Sequence, residues 1–323
     1  DGGIPRERPR EPWIILLSDF ENILKTTLKN RLILSASDQL VMFSTLIIDP
    51  IKNIRDPTMT ESISHKAMMF ENNRFRTKDQ ELIREEPLSL RIDGNPYAVV
   101  MRTPGDEIYH AAGFFLSEGL VNHKDNFTAI GYCTEEGVNV VTATLQPERK
   151  IIVKDLLERR GFVSQTSCGI CGKELIKDIY QIVNPVTTHL NMSIRDVGSC
   201  FAKLVGTQSL YKTTRGAHAA MILDARLKPI SFAEDVGRHN ALDKAIGRVF
   251  METRLHESVL AVMSSRISYE LVQKAARAGL EMIIALSRPT ELAVELASRL
   301  NMTLACIDKS DAVMVFCGSE RFQ

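Results

Sequence analysis

The stretch "SVLAVMSSRISYELVQKAARAGLEMIIALSRPTELAVELASRLNMTLACI", residues 258–307, alternates apolar runs of strand length with segments of helical spacing. The predicted strands lie at 258–265, 282–287 and 302–307, and the predicted helices at 268–281 and 289–301. A β-α-β-α-β order implies a parallel sheet with right-handed crossovers. The stretch therefore predicts an α/β domain, to which "AVMVFC" at 312–317 adds a further strand.

Polar residues follow each of these predicted strands. They are "SSR" at 264–266, "SRPT" at 287–290 and "DKSD" at 308–311. In open α/β sheets, ligands bind beyond the carboxyl ends of the strands, where helix N-termini offer unpaired N–H groups to an anion. The clustering favours a site for a phosphate-bearing ligand, and the alternative is that these residues are ordinary helix caps and solvated charges.

The chain upstream of this domain is predicted to form a smaller α+β region. "LSLRIDGNPYAVVMRTP" at 88–104 has two alternating segments around a Gly-Asn turn, which is a hairpin signal. "DEIYHAAGFFLSEGL" at 106–120 has helical spacing after an acidic first turn, and "FTAIGYCTEEGVNVVTATLQ" at 127–146 is typical of two further strands. Residues 1–75 show no sustained period, and we expect a leader that is either poorly ordered or not native, with Met59 as an alternative start.

Composition excludes several classes of protein. Lys+Arg and Asp+Glu both number 40 in 323 residues, so no net field favours nucleic acid or an anionic membrane. No apolar run reaches the roughly 18–20 residues of a membrane helix, and "WIILL" near the start is too short for a signal peptide. We therefore expect a cytoplasmic protein that binds neither nucleic acid nor membrane.

Four of the six cysteines are predicted to be core thiols. In "SIRDVGSCFAKLVG" at 193–206, Cys200 shares one helical face with apolar neighbours, which are Ile194, Val197, Phe201 and Leu204. Cys133, Cys306 and Cys317 each lie in or at the end of a strand-like run. Six cysteines in a chain of this length do not indicate a disulfide-stapled secreted protein.

The remaining cysteines, Cys168 and Cys171, form a C-x-x-C pair in "TSCGICGKE" at 166–174. Such a pair alone fits a metal site, a redox dithiol or a nucleophilic sulfur carrier. Zinc is disfavoured, because the chain has no second C-x-x-C, no H-x-x-x-H and no H-x-E. A redox pair is disfavoured too, since the pair lies mid-chain between Gly169 and Gly172 and not after the first strand of a βαβ unit.

Sulfur carriage fits the surroundings of the pair better. A thiolate at a helix N-terminus is stabilised by the helix dipole, and neighbouring cations lower its pKa further. Those cations are Arg159, Arg160 and Lys173. Flanking glycines favour a loop that can travel between a donor and an acceptor.

A second group of polar residues lies in "TTRGAHAAMI" at 213–222 and "EDVGRHNALDKAIG" at 234–247. Taken singly, each histidine is typical of a surface or hydrogen-bonded residue. A dense acid–base cluster entering a helix favours a binding role instead. The candidates are Arg215, His218, Arg238 and His239.

These motifs, with "SCGICG", "PTELAVELA" and the segment "EEPLSLRIDGNPYAVVMRTPGDEIYHAAGFFLSEGL", resemble the formate dehydrogenase accessory sulfurtransferase family, FdhD. The resemblance runs from about residue 84 to the end of the chain, and "EDVGRHNALDK" alone is highly specific. It implies a sulfur carrier that takes persulfide sulfur from a cysteine desulfurase and passes it to the molybdenum bis(guanine dinucleotide) cofactor of formate dehydrogenase. It also implies a homodimer without zinc.

The resemblance assigns roles to individual residues. The persulfide cysteine is the first of the C-x-x-C, Cys168, and Cys171 is its partner. The guanine nucleotide of the cofactor is expected at the strand ends. The residues expected there are Arg266, Ser287, Thr290, Cys306, Ile307, Asp308, Lys309, Ser310 and Asp311, with Arg215, His218, Arg238 and His239 nearby.

Two departures from the family pattern bear on this site. Ser264-Ser265-Arg266 stands where the family has Ser-Gly-Arg, and the segment 306–311 replaces an aromatic, arginine-bearing one. Asp308 and Asp311 are expected to repel phosphate unless Lys309 or Arg266 compensates.

The predicted organisation has three parts. They are a leader at 1–75, an α+β subdomain at 76–165 and a domain with a cytidine-deaminase-like, mainly parallel sheet at 166–323. The competing functions are a cofactor-binding chaperone whose cysteines only hold the ligand, and a degenerate deaminase that retains zinc.

Overall fold

The computed structural model describes residues 60–135, 138–159, 183–187, 190–308 and 312–323. Its strands are β1 Ser62–Glu71, β2 Arg74–Ile83, β3 Glu86–Ile92, β4 Asn95–Arg102, β5 Phe127–Glu135, β6 Val138–Leu145, β7 His218–Leu223, β8 Pro229–Asp235, β9 Leu260–Arg266, β10 Met282–Ser287, β11 Thr303–Ile307 and β12 Val313–Cys317. Its α-helices are α1 Glu107–Ser117, α2 Pro147–Arg159, α3 Asp196–Thr207, α4 Ser209–Thr214, α5 Arg238–Met251, α6 Tyr269–Arg277 and α7 Glu291–Arg299.

The C-terminal sheet has six strands in the order β12-β11-β10-β9-β7-β8. β9, β10 and β11 are parallel and are connected through α6 and α7, which confirms the β-α-β-α-β prediction. The expectation of a mainly parallel sheet is wrong, because the pairs β11–β12, β9–β7 and β7–β8 are antiparallel. β7–β8 and β11–β12 are joined by connections too short for a parallel crossover, so each pair must reverse direction.

Alternate residues of the central strands face opposite layers. On β9, Ala261 and Met263 join a core cluster that includes residues of α1, α5 and α6, whereas Leu260 and Val262 join a second cluster beneath α3. This is the period of two that a strand buried on both faces requires. No helix within the described ranges is both long enough and apolar enough to span a bilayer.

The N-terminal sheet has four strands in the order β4-β3-β6-β5. The predicted hairpin of β3 with β4 is confirmed, and the two further predicted strands, β5 and β6, also pair antiparallel. The first turn is centred one residue earlier than expected, on Asp93 and Gly94, with φ of 49° and 80°. An Asp-Gly pair with both residues in the left-handed region is the preferred two-residue hairpin turn. Asn95 is therefore the first residue of β4.

Residues before position 76 include a regular element, contrary to expectation. β1 and β2 pair antiparallel over their whole length, from Ser62–Ile83 to Glu71–Arg74. The turn is Asn72-Asn73, again with both φ values positive. No residue of either strand is buried. Because neither face packs on a core, the sequence lacks the apolar alternation by which a strand is usually predicted. The predicted boundary at residue 75 falls inside it, and the one at 165 lies outside the described residues.

Helices α1 and α5 cross at a pair of glycines. A Cβ on Gly113 would lie 2.0 Å from the carbonyl oxygen of Asp243, and one on Gly247 would lie 1.8 Å from that of Tyr109. The two backbones are therefore in direct contact. Through this crossing the two predicted subdomains share a core, in which Phe115 of α1 and Leu242 of α5 are both buried.

The predicted apolar face of α3 is confirmed for four of its five members. Val197, Cys200, Phe201 and Leu204 are buried, whereas Ile194 precedes the helix and is exposed. Cys306 is buried and Cys317 is half-buried. Cys133 is exposed, because it lies on the face of β5 turned away from the core, so its assignment as a core thiol is wrong.

Candidate functional site

The carboxyl ends of β9, β10 and β11 meet at one edge of the six-stranded sheet. Because β7 runs antiparallel to β9, its first residue, His218, lies at the same edge, paired with Asp235 at the end of β8. Helices α5, α6 and α7 all begin there, so their N-terminal N–H groups and dipoles favour an anion at this edge. We call this edge the strand-end surface, and its side chains are His218, Arg238, His239, Arg266, Ser287, Arg288 and Asp308.

The backbone register brings the expected residues of successive strands together. Arg266 of β9 is paired with Ser287 of β10, and Cys306 of β11 is paired with Ala285. The Thr290 hydroxyl accepts a hydrogen bond from the N–H of Ala293 at 3.3 Å. Thr290 is therefore the N-cap of α7. Helix capping is the alternative to ligand binding that the sequence left open for the polar residues at the strand ends.

Three arginines of the strand-end surface are not paired with any carboxylate that the structure describes. Among the described residues, no ion pair joins Arg238, Arg266 or Arg288 to an Asp or Glu. Arg266 and Arg288 are exposed, and Arg238 is half-buried with its Nε atom out of solvent and without a hydrogen-bond partner. Guanidinium groups that lack partners at a helix-rich edge are suited to bind phosphate oxygens.

The carboxylates near this surface are already engaged. Glu234 accepts hydrogen bonds from the N–H groups of Leu210 and Tyr211 at 2.9 and 2.8 Å, which caps α4. Asp308 accepts one from the N–H of Ala312 at 3.1 Å, and its own N–H donates to the Ala312 carbonyl at 2.9 Å. The Asp308 carboxylate thus binds the residue that precedes β12, which explains an aspartate at a position where the sequence predicted only repulsion of phosphate.

His239 is held in place by two neighbours from the start of α6. Its Nε2 atom lies 2.9 Å from the Glu270 carboxylate and 3.2 Å from the Ser268 hydroxyl. Because one ring nitrogen makes both contacts, this is not a Ser-His-Glu relay, which needs a separate nitrogen for each partner. The hydrogen bond from His239 is the main cause that lowers the pKa of Glu270. The contact orients the imidazole beside the strand-end surface.

His218 and Arg238 are close enough to influence one another. Burial lowers the pKa of His218, and the charge of Arg238 lowers it further. His218 is therefore a neutral hydrogen-bonding group near neutral pH, next to a cation. Arg215 lies three residues earlier, exposed, with its guanidinium 5.3 Å from the centroid of the Tyr211 ring.

A buried ion pair supports the turn that carries Arg238 and His239. Asp235 is completely buried, and its carboxylate lies 2.7 Å from the Lys244 ammonium. The same carboxylate accepts hydrogen bonds from the N–H groups of Thr103 and Gly237 and from the Asn240 amide. The "EDVGRHNALDK" motif is therefore fixed against the end of β4, and most of its polar residues are structural.

His110 of α1 lies next to this network. It is fully buried, and burial lowers its pKa well below 6.5, with the charges of Lys244, Lys274 and Arg102 acting in the same direction. The nearby Asn240 amide acts in the opposite direction on this pKa, but it donates to Met101 and Asp235, and neither ring nitrogen of His110 has a hydrogen-bond partner among the described residues. The fold therefore requires a neutral imidazole here.

We expect the free energy of unfolding to fall as the pH falls below about 6.5, the His pKa of an unfolded chain. In this window His110 binds a proton in the unfolded state but not in the folded state, so the free energy of unfolding rises with pH. His110→Gln should reduce the slope between pH 6.5 and 5 by up to about 1.4 kcal/mol per pH unit. Urea unfolding at several pH values measures this, and His256→Gln, at an exposed histidine between α5 and β9, is the control. An unchanged slope in His110→Gln would show that His110 titrates freely.

Several predicted residues lie outside the described residues. They are Cys168, Cys171, Lys309, Ser310 and Asp311. Their roles stay predictions, as does the absence of zinc. In the part of the chain that the structure describes, no group of three His, Cys, Asp or Glu side chains is arranged to hold a metal ion.

Two residues at the site, Arg288 and Glu270, are not among those predicted from the sequence. Arg288 stands inside the quoted "SRPT", between two residues that were selected, and its charge acts on the Cys306 thiol. Glu270 carried no signal of its own, since its contact with His239 joins residues 31 positions apart in the chain. Burial raises the pKa of Cys306, which disfavours the thiolate form of this buried cysteine.

Comparison with known proteins identifies similar chains. Residues 83–323 match the model of the FdhD/NarQ family. The chain is 33% identical over 266 residues to the sulfur carrier protein FdhD of Streptomyces avermitilis, covering 79% of this chain and 94% of that one. It is 35% identical over 258 residues to the protein of the same name from Mycobacterium tuberculosis, covering 76% and 92%.

The fold is also seen in a solved structure. It is the crystal structure of a Desulfotalea psychrophila protein described as a formate dehydrogenase accessory protein, with a TM-score of 0.65 and 20% identity. The superposition covers 82% of this chain and all of that one. At this identity the likeness concerns the mixed α/β architecture alone.

Proposed function

The chain belongs to the FdhD/NarQ family, and we propose that it is a sulfur carrier whose nucleophile is Cys168. The observation that carries the proposal is the family match over 83–323, which spans the C-x-x-C pair and the strand-end surface. The sulfur donor is a cysteine desulfurase. The Cys168 thiolate attacks the outer sulfur of the donor's persulfide, the donor's S–S bond breaks, and the donor cysteine leaves as a thiolate.

The acceptor in this proposal is the molybdenum bis(molybdopterin guanine dinucleotide) cofactor destined for formate dehydrogenase. Its guanine nucleotide, a GDP-like group, binds at the strand-end surface. The arginines without carboxylate partners and the three helix N-termini support this placement, since both favour a diphosphate. The expected ligand residues are Arg215, His218, Arg238, His239, Arg266, Ser287, Thr290 and the segment 306–311, to which the geometry adds Arg288.

The family resemblance extends the proposal in three respects. The domain at 166–323 is cytidine-deaminase-like without the zinc chemistry, the protein is a homodimer, and it acts in the cytoplasm. The parallel core of β9, β10 and β11 supports the first of these. None of the three is needed for sulfur transfer by Cys168.

The proposal is tested by incubating the purified full-length protein with a cysteine desulfurase and cysteine, followed by mass spectrometry of its peptides. We expect the peptide that contains Cys168 to gain the mass of one sulfur atom, and the gain to disappear on reduction. No gain, together with intact nucleotide binding, would favour the chaperone. Zinc at one equivalent per chain would favour a degenerate deaminase.

Arg266→Ala should weaken the binding of GDP. A charge-assisted hydrogen bond contributes about 1.5–3 kcal/mol, so the dissociation constant should rise roughly tenfold or more. Isothermal titration calorimetry measures the change. Arg226→Ala is the control, because Arg226 is an exposed arginine in the turn between β7 and β8, at the opposite edge of the sheet. An unchanged affinity in Arg266→Ala would move the nucleotide site elsewhere.

A further inference from the structure

The β1–β2 hairpin exposes apolar side chains on both of its faces. Six large apolar residues are exposed, and they are Ile63, Met68, Met69, Phe70, Phe75 and Leu82. Met68 and Phe75 are 76% and 70% exposed. A two-stranded hairpin is at best marginally stable alone in water, and apolar patches of this kind mark interaction sites.

Local sequence nevertheless fixes the hairpin in one register. Asn72 and Asn73 both adopt left-handed φ, as a two-residue hairpin turn requires. The rings of Phe70 and Phe75 contact each other across the two strands, with centroids 4.9 Å apart and planes tilted by 46°. At the base, the Ile83 side chain lies next to Gly216, where an added Cβ would be only 2.9 Å away. The hairpin is a defined arm that precedes most of the family-matched residues 83–323.

The two edges of this arm differ in charge. β2 carries five charged side chains in ten residues, namely Arg74, Arg76, Lys78, Asp79 and Glu81. Charged side chains of this density are a device that prevents pairing at a sheet edge. β1 carries only Lys66 and Glu71, around the run "AMMF" at 67–70. Among the described residues, β1 has no strand partner other than β2.

The backbone N–H and C=O groups of β1 point alternately towards β2 and towards the free edge of the hairpin. Because Glu71 and Arg74 flank a two-residue turn, they form the hydrogen-bonded pair that closes the hairpin. Backbone groups of the odd-numbered residues therefore point to β2, and those of the even-numbered residues point to the free edge. An added antiparallel strand must pair through Lys66, Met68 and Phe70.

We propose that β1 pairs antiparallel with β1 of a second copy of this chain, about a two-fold axis at Met68, to form an intermolecular four-stranded sheet. A two-fold interface uses the same surface on both subunits, so the edge must complement itself. The pairs are Met68 with Met68, Ala67 with Met69, Lys66 with Phe70 and His65 with Glu71.

This register complements itself chemically. The apolar run lies at its centre, and no like charges face one another. The ammonium of Lys66 lies beside the ring of Phe70 in the second copy, a cation–π arrangement. The imidazole of His65 lies beside the carboxylate of Glu71. The inference rests on the homodimer of the proposed function and specifies its interface. It does not depend on sulfur transfer, and its test uses no sulfur donor.

Sedimentation equilibrium of the full-length chain, over a range of concentrations, tests the proposal. We expect a dimer whose dissociation constant rises at least tenfold in Met68→Lys, because two ammonium groups then face each other at the axis. Thr77→Lys is the matched control, since Thr77 is the cross-strand partner of Met68 on β2, and it should dimerise like the parent. Circular dichroism checks that both variants fold.

A second variant keeps the result independent of folding effects. Residues opposed in a hydrogen-bonded antiparallel pair have Cα atoms about 5.5 Å apart, within the range of a disulfide. Met68→Cys should therefore form an intermolecular disulfide on mild oxidation, identified by peptide mapping, and Thr77→Cys should not. A monomer at every concentration, a dimer indifferent to Met68→Lys, or equal effects of Met68→Lys and Thr77→Lys would each overturn the proposal.

Discussion

Gly247→Ala should lower the free energy of unfolding by about 3 kcal/mol or more, the upper range for overpacking in a core. Its Cβ would lie 1.8 Å from the carbonyl oxygen of Tyr109, well under the 3.0 Å that real Cβ atoms require. The obstacle is backbone, which cannot swing aside as a side chain would. Helices α1 and α5 would have to separate.

Separation of these helices has consequences in two places. It opens the core cluster that Phe115 and Leu242 share. It also disturbs the polar contacts of Asp243, whose carboxylate is 2.7 Å from the Lys274 ammonium and accepts a hydrogen bond from Ser117 at 3.0 Å. A buried carboxylate left without these partners costs considerably more than the contacts contribute when made.

Thermal and denaturant unfolding measure the effect, with an expected fall of roughly 10 °C in the melting temperature. Gly198→Ala is the matched control, because Gly198 lies in α3 with nothing within 4 Å of an added Cβ. There alanine should stabilise by up to about 1 kcal/mol through helix propensity alone. A Gly247→Ala variant as stable as its parent would show that α1 and α5 lie further apart than described.

The crossing of α1 and α5 shows which features of the fold can be predicted from the sequence and which cannot. Strands β9, β10 and β11 follow from their apolar runs, and helices α6 and α7 follow from their spacing. The direct contact of α1 with α5 brings together residues 130 or more positions apart, such as Gly113 and Asp243, and no local pattern encodes that. The only sequence signal of this contact was a glycine inside each helix. Glycine destabilises a helix interior, so its presence there needs a structural reason.

The strand-end surface was predictable in outline because topology alone decides which strand ends meet. The roles of its single residues were not, since they depend on contacts between side chains. Thr290 caps α7 and Asp308 binds the N–H of Ala312, whereas the neighbouring Arg288 is exposed and has no carboxylate partner among the described residues. Polar residues at strand ends serve the local backbone as often as a ligand, and only the hydrogen-bond partners distinguish the two.

Cys168→Ala should abolish the activation of formate dehydrogenase in cells whose own sulfur carrier has been deleted. The thiol is the nucleophile of the proposed transfer, and alanine cannot form a persulfide. GDP binding should survive, because the arginines of the strand-end surface are untouched. Formate dehydrogenase activity in complemented cells and calorimetry on the purified variant measure the two outcomes separately. Cys133→Ala, at an exposed cysteine of β5, is the control and should activate fully.

Cys171→Ala should leave partial activity, because sulfur can be released from Cys168 by two routes and only one of them needs Cys171. If the Cys171 thiolate attacks the inner sulfur of the Cys168 persulfide, a disulfide between the two residues forms, the terminal S–S bond breaks and hydrosulfide departs. Without Cys171 the outer sulfur can still be delivered directly to an acceptor that attacks it, only less readily. Full activation by Cys168→Ala would eliminate the carrier mechanism and leave the chaperone. Complete loss in Cys171→Ala, with activity retained in Cys168→Ala, would exchange the roles of the two thiols.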